Sequence, residues 1–276
     1  MAASLTYVAV LDLRHETVLY LSGLLHTERQ RRGTRTGRRA LTCFAQAVMV
    51  LRWFIDGTRL TQLAVDNKIG GSTTYRYVHE GVDVLAARQP SLPAALLAAK
   101  MAGHPHINID GTLIRTDRCS TPGPTDGVDL WWSGKHHHHG GNIQVISSPD
   151  GWPLWTSPVR PGREHDTTCL RTHPEMLPAL ALWTGDDLPA LADLGYEGEA
   201  DLFTLPVKRP PGTTHTPENV QLNLLQAHAR ARAEQANAVL KMTFKALRHV
   251  SLDPSTIGRI VAAALVILHI EHDRTT

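Results

Sequence analysis

The chain has 276 residues, 42% of them hydrophobic and 20% charged, and a net charge of +2. That balance suits a folded core and excludes an intrinsically disordered chain, while three widely spaced cysteines exclude a disulfide framework or a cysteine zinc site. The length exceeds that of a usual single domain, so a large domain with a small companion is expected.

The opening stretch, MAASLTYVAVLDLRHE, lacks the basic start and long apolar core of a signal peptide, and a cytoplasmic chain is expected. Val18, Leu19, Leu21, Leu24 and Leu25 recur at helical spacing between Arg14 and His26. A basic stretch follows, with Arg29, Arg31, Arg32, Arg35, Arg38 and Arg39 beside a single acid, Glu28. Such crowding fits contact with a polyanion, for which Arg35, Arg38 and Arg39 are the candidates, and equally fits a solvated linker.

Leu41 to Phe54 reads as a second helix ending before Gly57, and Leu60 to Val65 as a short third. Gly70 and Gly71 then make a turn, and Ser72 reads as the N-cap of a helix continuing to Leu85. In a helix-turn-helix that second helix enters the major groove by its N-terminal residues, here Thr73, Thr74, Tyr75, Arg76 and His79. Two helices around a glycine turn also occur in simple packing, and spacing alone does not separate the two.

Beyond the break at Gln89 to Pro93 a short helix runs from Ala94 to Met101, and the texture then changes to strands. These are His106 to Asp110, Leu130 to Trp132, Asn142 to Ser147 and Trp152 to Val159, with Ser147 to Pro153 a hairpin turn around Asp150 and Gly151. Helices at Thr167 to Arg171 and Pro174 to Leu182 follow, then strands at Leu188 to Ala192 and Phe203 to Val207. A polar helix from Asn219 to Leu240 and an apolar one from Ser255 to Ile270 complete the chain. The apolar run Ile260 to Leu268 is too short to span a bilayer and reads as a buried helix, so no membrane partner is expected. Strands followed by helices, with a helical crossover between, describe an α/β domain with a mixed sheet.

Three acids stand on these elements. Asp110 closes the first strand, Asp193 follows the strand at Leu188 to Ala192, and Glu234 lies on the polar helix. Ligands bind beyond the carboxyl ends of strands in open α/β sheets, so the aspartates meet if their strands are neighbours. Hard divalent cations take such oxygen donors. Asp186, Asp187 and Asp201 are alternative second acids that spacing does not exclude. His165 and Asp166 precede a helix, and Asp166 reads as its N-cap. His136 to His139 lie in an extended segment, where neighbours point to opposite faces and cannot all ligate one ion. Lys135 beside them suits phosphate contact, and Arg232 and Lys241 near Glu234 suit a DNA backbone.

The segments IDGTLIRTDR (109–118), SGKHHHHGGNIQVISSPDGWPLWTS (133–157), RPGREHDTT (160–168), LADLGYEG (191–198) and AEQANAVLKMTFKALR (233–248) together resemble the DDE superfamily of transposases, in particular bacterial insertion-sequence enzymes related to Harbinger-type endonucleases. The resemblance implies an RNase H-like mixed sheet with flanking helices over residues 91–276, preceded by a small all-α helix-turn-helix domain at 41–90 and an N-terminal helix with its basic connector at 1–40. It implies Asp110, Asp193 and Glu234 as the catalytic, metal-binding triad, holding two Mg²⁺ or Mn²⁺ ions. The implied activity is cutting at insertion-sequence ends and joining them to target DNA. Double-stranded DNA is the implied partner, and holding two ends calls for a homo-oligomer. The alternative is a DNA-binding protein of the same descent that no longer cuts.

Overall fold

The structure is a computed structural model; it describes residues 10–209 and 211–276, with the side chains of Ala229 and Arg230 left aside. The first nine residues of the expected N-terminal segment therefore lie outside the described residues.

Five helices come first: α1 (His15–Arg31), α2 (Cys43–Asp56), α3 (Leu60–Asp66), α4 (Gly71–Ala86) and α5 (Leu92–Met101). Thr42 caps α2 by accepting the Ala45 N–H, and Ser91 caps α5 in the same way from Ala94. Ser72 does not cap α4. The Thr73 and Thr74 amides reach back to the Gly70 carbonyl, so the helix starts two residues earlier, with Gly70 in the cap position. Leu21, Leu25, Val50, Phe54, Val78 and Leu85 meet inside this helical group.

The core of these helices continues into the C-terminal helix α9 (Ile257–Glu271), which packs on α4 and, on its other side, on the sheet. Every residue of α9 from Ile260 to His269 is buried, as its unbroken apolar run requires. Together with the turn before it, α9 is long and apolar enough to cross a membrane, but most of it lies inside this core.

One buried charge marks the seam of the helical group. Glu80 on α4 accepts from Gln46 Nε2 at 2.8 Å and from the Arg39 guanidinium, which also lies 4.5 Å from the centre of the Tyr77 ring. Removing one partner of a buried pair strands the other charge in low dielectric. Glu80→Gln is expected to cost about 3 kcal/mol in urea denaturation; a change within error would show that Arg39 relaxes into water.

The sheet is mixed. Its strands are β1 (Ile107–Arg115), β2 (Trp132–Ser133), β3 (His138–Ser147), β4 (Pro153–Thr156), β5 (Arg160–Pro161) and β6 (Ala190–Leu191). β3 lies at the centre of the antiparallel part, pairing with β1, β2, β4 and β5, and β6 joins the far side of β1 in parallel. Alternation sorts the side chains by face. Ile107, Ile109 and Ile146 face α5 and the later α7 (Met176–Thr184), whereas Ile114, Ile143 and Val145 face α9 and the long α8 (Pro217–Thr243). Between β5 and α7 lies α6 (Asp166–Thr172). Trp155 is in the core, and Trp132 packs edge-on against His139 across the β2–β3 pair.

Several local expectations need correction. β1 does not close at Asp110 but runs on to Arg115, because Gly111 pairs in register with Gln144 rather than breaking the strand. The histidine run is extended only in its second half: Trp132 pairs with His139 and Ser133 with His138, so Gly134 to His137 form the hairpin turn, with His137 at φ 54°. Phe203 to Val207 forms no strand beyond a bridge from Thr204 to Leu191.

Candidate active site

The register of β1 against β6 decides where two of the acids go. Asn108 pairs with Leu191, so Asp193, two residues past the end of β6, is carried to the side of β1 on which Asp110 stands two residues past Asn108, within the strand. Past that point β6 has ended, and β1 has no strand beside it on this side from Asp110 until Arg115, whose carbonyl accepts the Val250 N–H. Asp193 is held there as the cap of a short 3-10 turn, Leu194–Glu199, accepting the Gly195 N–H at 2.7 Å.

Asp110 faces α8. Its Oδ2 accepts from Asn237 Nδ2 at 2.7 Å, and one turn later Lys241 Nζ donates to Thr112 Oγ1 at 2.6 Å and to the Leu113 carbonyl at 3.1 Å. Burial lowers the Lys241 pKa, and the nearby Asp110 carboxylate partly offsets that. Glu234 lies one turn before Asn237 on α8 and is exposed. Among the described residues no three His, Cys, Asp or Glu side chains are gathered closely enough to hold a metal ion. The structure thus brings Asp110 and Asp193 to one sheet end and leaves Glu234 on the helix above, outside any closed ligand cluster.

The opposite face of β1 carries a second set of polar groups. Asp166, the first residue of α6, does not cap its helix as expected; His165 takes the cap position instead. Asp166 Oδ1 accepts from Asn142 Nδ2 at 2.9 Å and from Gln144 Nε2 at 3.4 Å. Gln144 Oε1 in turn accepts from the hydroxyl of Tyr196, which is fully buried. Burial first, then the negative charges of Asp166, Asp110 and Asp193, push the Tyr196 pKa well above its usual value, so this hydroxyl lies within the field of all three aspartates. A cleft of about 430 Å³ opens above Asp166, with Gly111 and Gly195 in its wall and Lys135, His136, Arg163 and His165 around it. His136 sits low in pKa through burial and then through the cations Lys135 and Lys241, so it stays neutral near pH 7.

The expected DNA-contacting residues divide. Arg38, Arg39, Thr73, Tyr75, Arg76 and His79 line a second cleft, about 480 Å³, along the outer side of α4. Tyr75 and His79 pack ring to ring at 4.2 Å, and Arg76 is exposed beside them. Arg35 and Arg38 are exposed and have no acidic partner among the described residues, whereas Arg31 and Arg32 are bound to Glu28, at 2.7 and 2.5 Å. Lys135 is exposed on the β2–β3 turn, and Arg232 is exposed with a bond to Gln235. Three of the expected residues have side chains engaged within the fold. Thr74 is fully buried and bonds its own helix, Arg39 is committed to Glu80, and the Lys241 ammonium is tucked against β1.

Asn142, Gln144, Tyr196 and Asn237 were not anticipated. The signal for the first two was present: polar residues two apart, on one face, within the otherwise apolar strand NIQVIS.

A family model described as "DDE superfamily endonuclease" matches residues 109–269. No curated protein matches the chain. Among solved structures, the crystal structure of a pre-cleavage Mos1 transpososome is 10% identical and covers 98% of this chain and 99% of that one, at a TM-score of 0.18, a likeness too low to carry a conclusion. The family match spans more than half of the chain and contains Asp110, Asp193 and Glu234, and on that ground the protein belongs to the DDE superfamily of endonucleases.

Proposed function

We propose that the protein is a transposase of the Harbinger-type branch, a DNA endonuclease and strand transferase that cuts at insertion-sequence ends and joins them to target DNA. The observation that carries this reading is the in-register pairing that brings Asp193 to the open edge of β1, on the side where Asp110 stands. The mixed sheet, with antiparallel β1, β3 and β4 and with β6 parallel to β1, supports the RNase H-like part of this reading.

The donors around this edge suit hard divalent cations, Mg²⁺ or Mn²⁺, because they are oxygen atoms. Asn237 adds a further hint: the residue is buried, and its Oδ1 has no hydrogen-bond partner although it lies against Asp110. Asp110, Asp193 and Glu234 are the residues that would hold two ions. When bound, such ions neutralise the phosphodiester and lower the pKa of the attacking water. The chain's own residues do the rest. Asn237 holds the Asp110 carboxylate in place, Gly195 N–H holds Asp193, and α8 carries Glu234 one turn before Asn237. Lys135 and Arg232 lie exposed on either side and fit the DNA backbone on approach.

The pair α3 and α4 serves as the helix-turn-helix, with Thr73, Tyr75, Arg76 and His79 toward the major groove and Arg35 and Arg38 toward phosphate. Removing Arg76 is expected to weaken binding to the element's own ends by about tenfold. In fluorescence anisotropy that loss should be smaller on unrelated duplex if the contact is to a base edge; an equal loss on both, with a shallower salt dependence, identifies a phosphate contact. Two ends held at once call for a homo-oligomer.

Cleavage of duplex carrying the element's ends, with Mg²⁺ and with chelator, tests the whole reading. Nicking that requires the cation supports it. Tight binding of those ends with no nicking under either condition would move the protein to the DNA-binding class that has lost its chemistry.

A further inference from the structure

We infer that two copies of this chain pair through the outward face of α8, helix against helix and antiparallel, about a dyad at Ala231. The inference rests on the homo-oligomer of the reading above and gives it an interface. At about 100° per residue, Ala233, Ala236 and Leu240 lie on the side of α8 that enters the core, and all three are buried. The opposite side is apolar as well. Val220, Leu224, Ala227 and Ala231 follow one another along it, and beyond Gln235 it continues with Ala238 and Met242, every one of them exposed. Val220, Leu224 and Met242 keep 53%, 58% and 68% of their surface accessible. A helix that is apolar on both faces is one that is buried on both.

The spacing along that face identifies its occupant. From Val220 to Met242 the steps are 4, 3, 4, 4, 3 and 4 residues, the same read from either end. Steps of three and four residues make a helix–helix seam. Because the order is symmetric, turning a second copy end for end about Ala231 lays the seam on itself. Val220 of one copy then meets Met242 of the other, Leu224 meets Ala238, Ala227 meets Gln235, and Ala231 meets its own counterpart. Large side chains fall opposite small or flexible ones, and the alanines at the middle let the two axes approach to about 8 Å. Such self-complementarity is what a twofold contact between identical chains requires.

The seam carries no charged residue, whereas a DNA track needs cations along it, so a second copy suits this face and a duplex does not. From Val220 to Met242 the seam is about 33 Å long and, at a helix's width, about 10 Å across. That is less than the roughly 800 Å² per partner of a standard interface, so pairing through α8 alone is reversible. Glu234 stands beside the seam, on the flank of Asn237 and Lys241 that faces β1, and the pairing does not consume it. Leu222 and Leu225, 53% and 68% exposed, lie on other sides of the helix and serve as the control.

Sedimentation equilibrium of the full chain without DNA, over about 1 to 100 μM, reads the association directly. The expected result is a reversible monomer–dimer equilibrium in wild type. Ala231→Glu sets two like charges face to face at the dyad and should weaken it about a hundredfold, with an unchanged melting curve at high dilution because Ala231 is exposed. Leu222→Gln combined with Leu225→Gln should leave the association as it is. The register is read by cross-linking in a chain whose Cys43 and Cys119 are replaced by serine. Under mild oxidation Ala231→Cys should form a disulfide-linked dimer, whereas Ala227→Cys should not, since two copies of position 227 stand about 12 Å apart along the axis. This measurement also decides the matter if Ala231→Glu melts early. Equal linking at both positions would mean parallel or random contact and overturns the antiparallel pairing. A wild type that stays monomeric, or an Ala231→Glu dimer as tight as wild type, overturns the inference altogether. Nicking of the element's ends, measured separately, then decides whether the endonuclease reading stands without it.

Discussion

Asp110→Asn is expected to lower the rate of end cleavage by about a thousandfold, roughly 4 kcal/mol of transition-state stabilisation, while leaving affinity for the element's ends intact. The substitution is nearly isosteric. It keeps an oxygen for Asn237 Nδ2 and leaves β1 paired with β3 and β6, so the loss is one of charge at the open edge rather than of architecture. Asp193→Asn should behave alike, since its oxygen still accepts the Gly195 N–H. Losses that act through one shared step do not add, so the double variant should be little worse than either single one. Single-turnover cleavage of labelled duplex, paired with a binding isotherm, measures both quantities; retention of more than a tenth of the wild-type rate in either variant would sink the assignment.

Gly111→Ala is expected to destabilise the fold by about 3 kcal/mol, at the top of the usual range for overpacking. The added methyl would meet Asp166 Oδ1 at 2.0 Å and Cγ at 2.6 Å, and neither side has room to yield. β1 is pinned by its register with β3 from Asn108 to Arg115, and Asp166 is pinned by Asn142 and Gln144. Urea denaturation reads the stability. A near-neutral result would mean that α6 shifts outward as a unit and gives the added methyl room.

What could be read from the sequence was what neighbouring residues decide. The apolar period of α2, the unbroken run of α9 and the Asp150–Gly151 turn between β3 and β4 are local, and each formed where expected. That Asp193 follows a short extended run was also legible, whereas the run at Asp110 continues to Arg115 because β3 pairs with it throughout. Distant partners settled the remainder. Asp166 has the local signature of a helix cap, but Asn142 and Gln144, more than 20 residues earlier, claim its side chain. Lys241 on a polar helix reads as a solvated cation until Thr112 and Leu113, far back in the chain, take its ammonium. Arg39 sits in a run of arginines that looks uniform, and only the packing of α4 against α2 singles it out for Glu80. Glu234 could be placed on a helix but not brought to the edge, since α8 is 27 residues long and local pattern says nothing about its approach.

The position of α9 between α4 and the sheet sets a limit on how this protein can diversify. A helix is about 10 Å across, and α9 is buried on all sides, so the separation between the outer surface of α4 and the Asp110 edge is a built-in ruler rather than a tether. Descendants can exchange Tyr75, Arg76 and His79 on the outside of α4 at little structural cost. Re-aiming α4 itself would mean recasting α9, with the Arg259–Asp83 pair that ties the two together, and with it the floor beneath β3 and β4. On the proposed reading, variation in what the protein recognises would be channelled into side chains, while the spacing between α4 and the Asp110 edge stayed fixed.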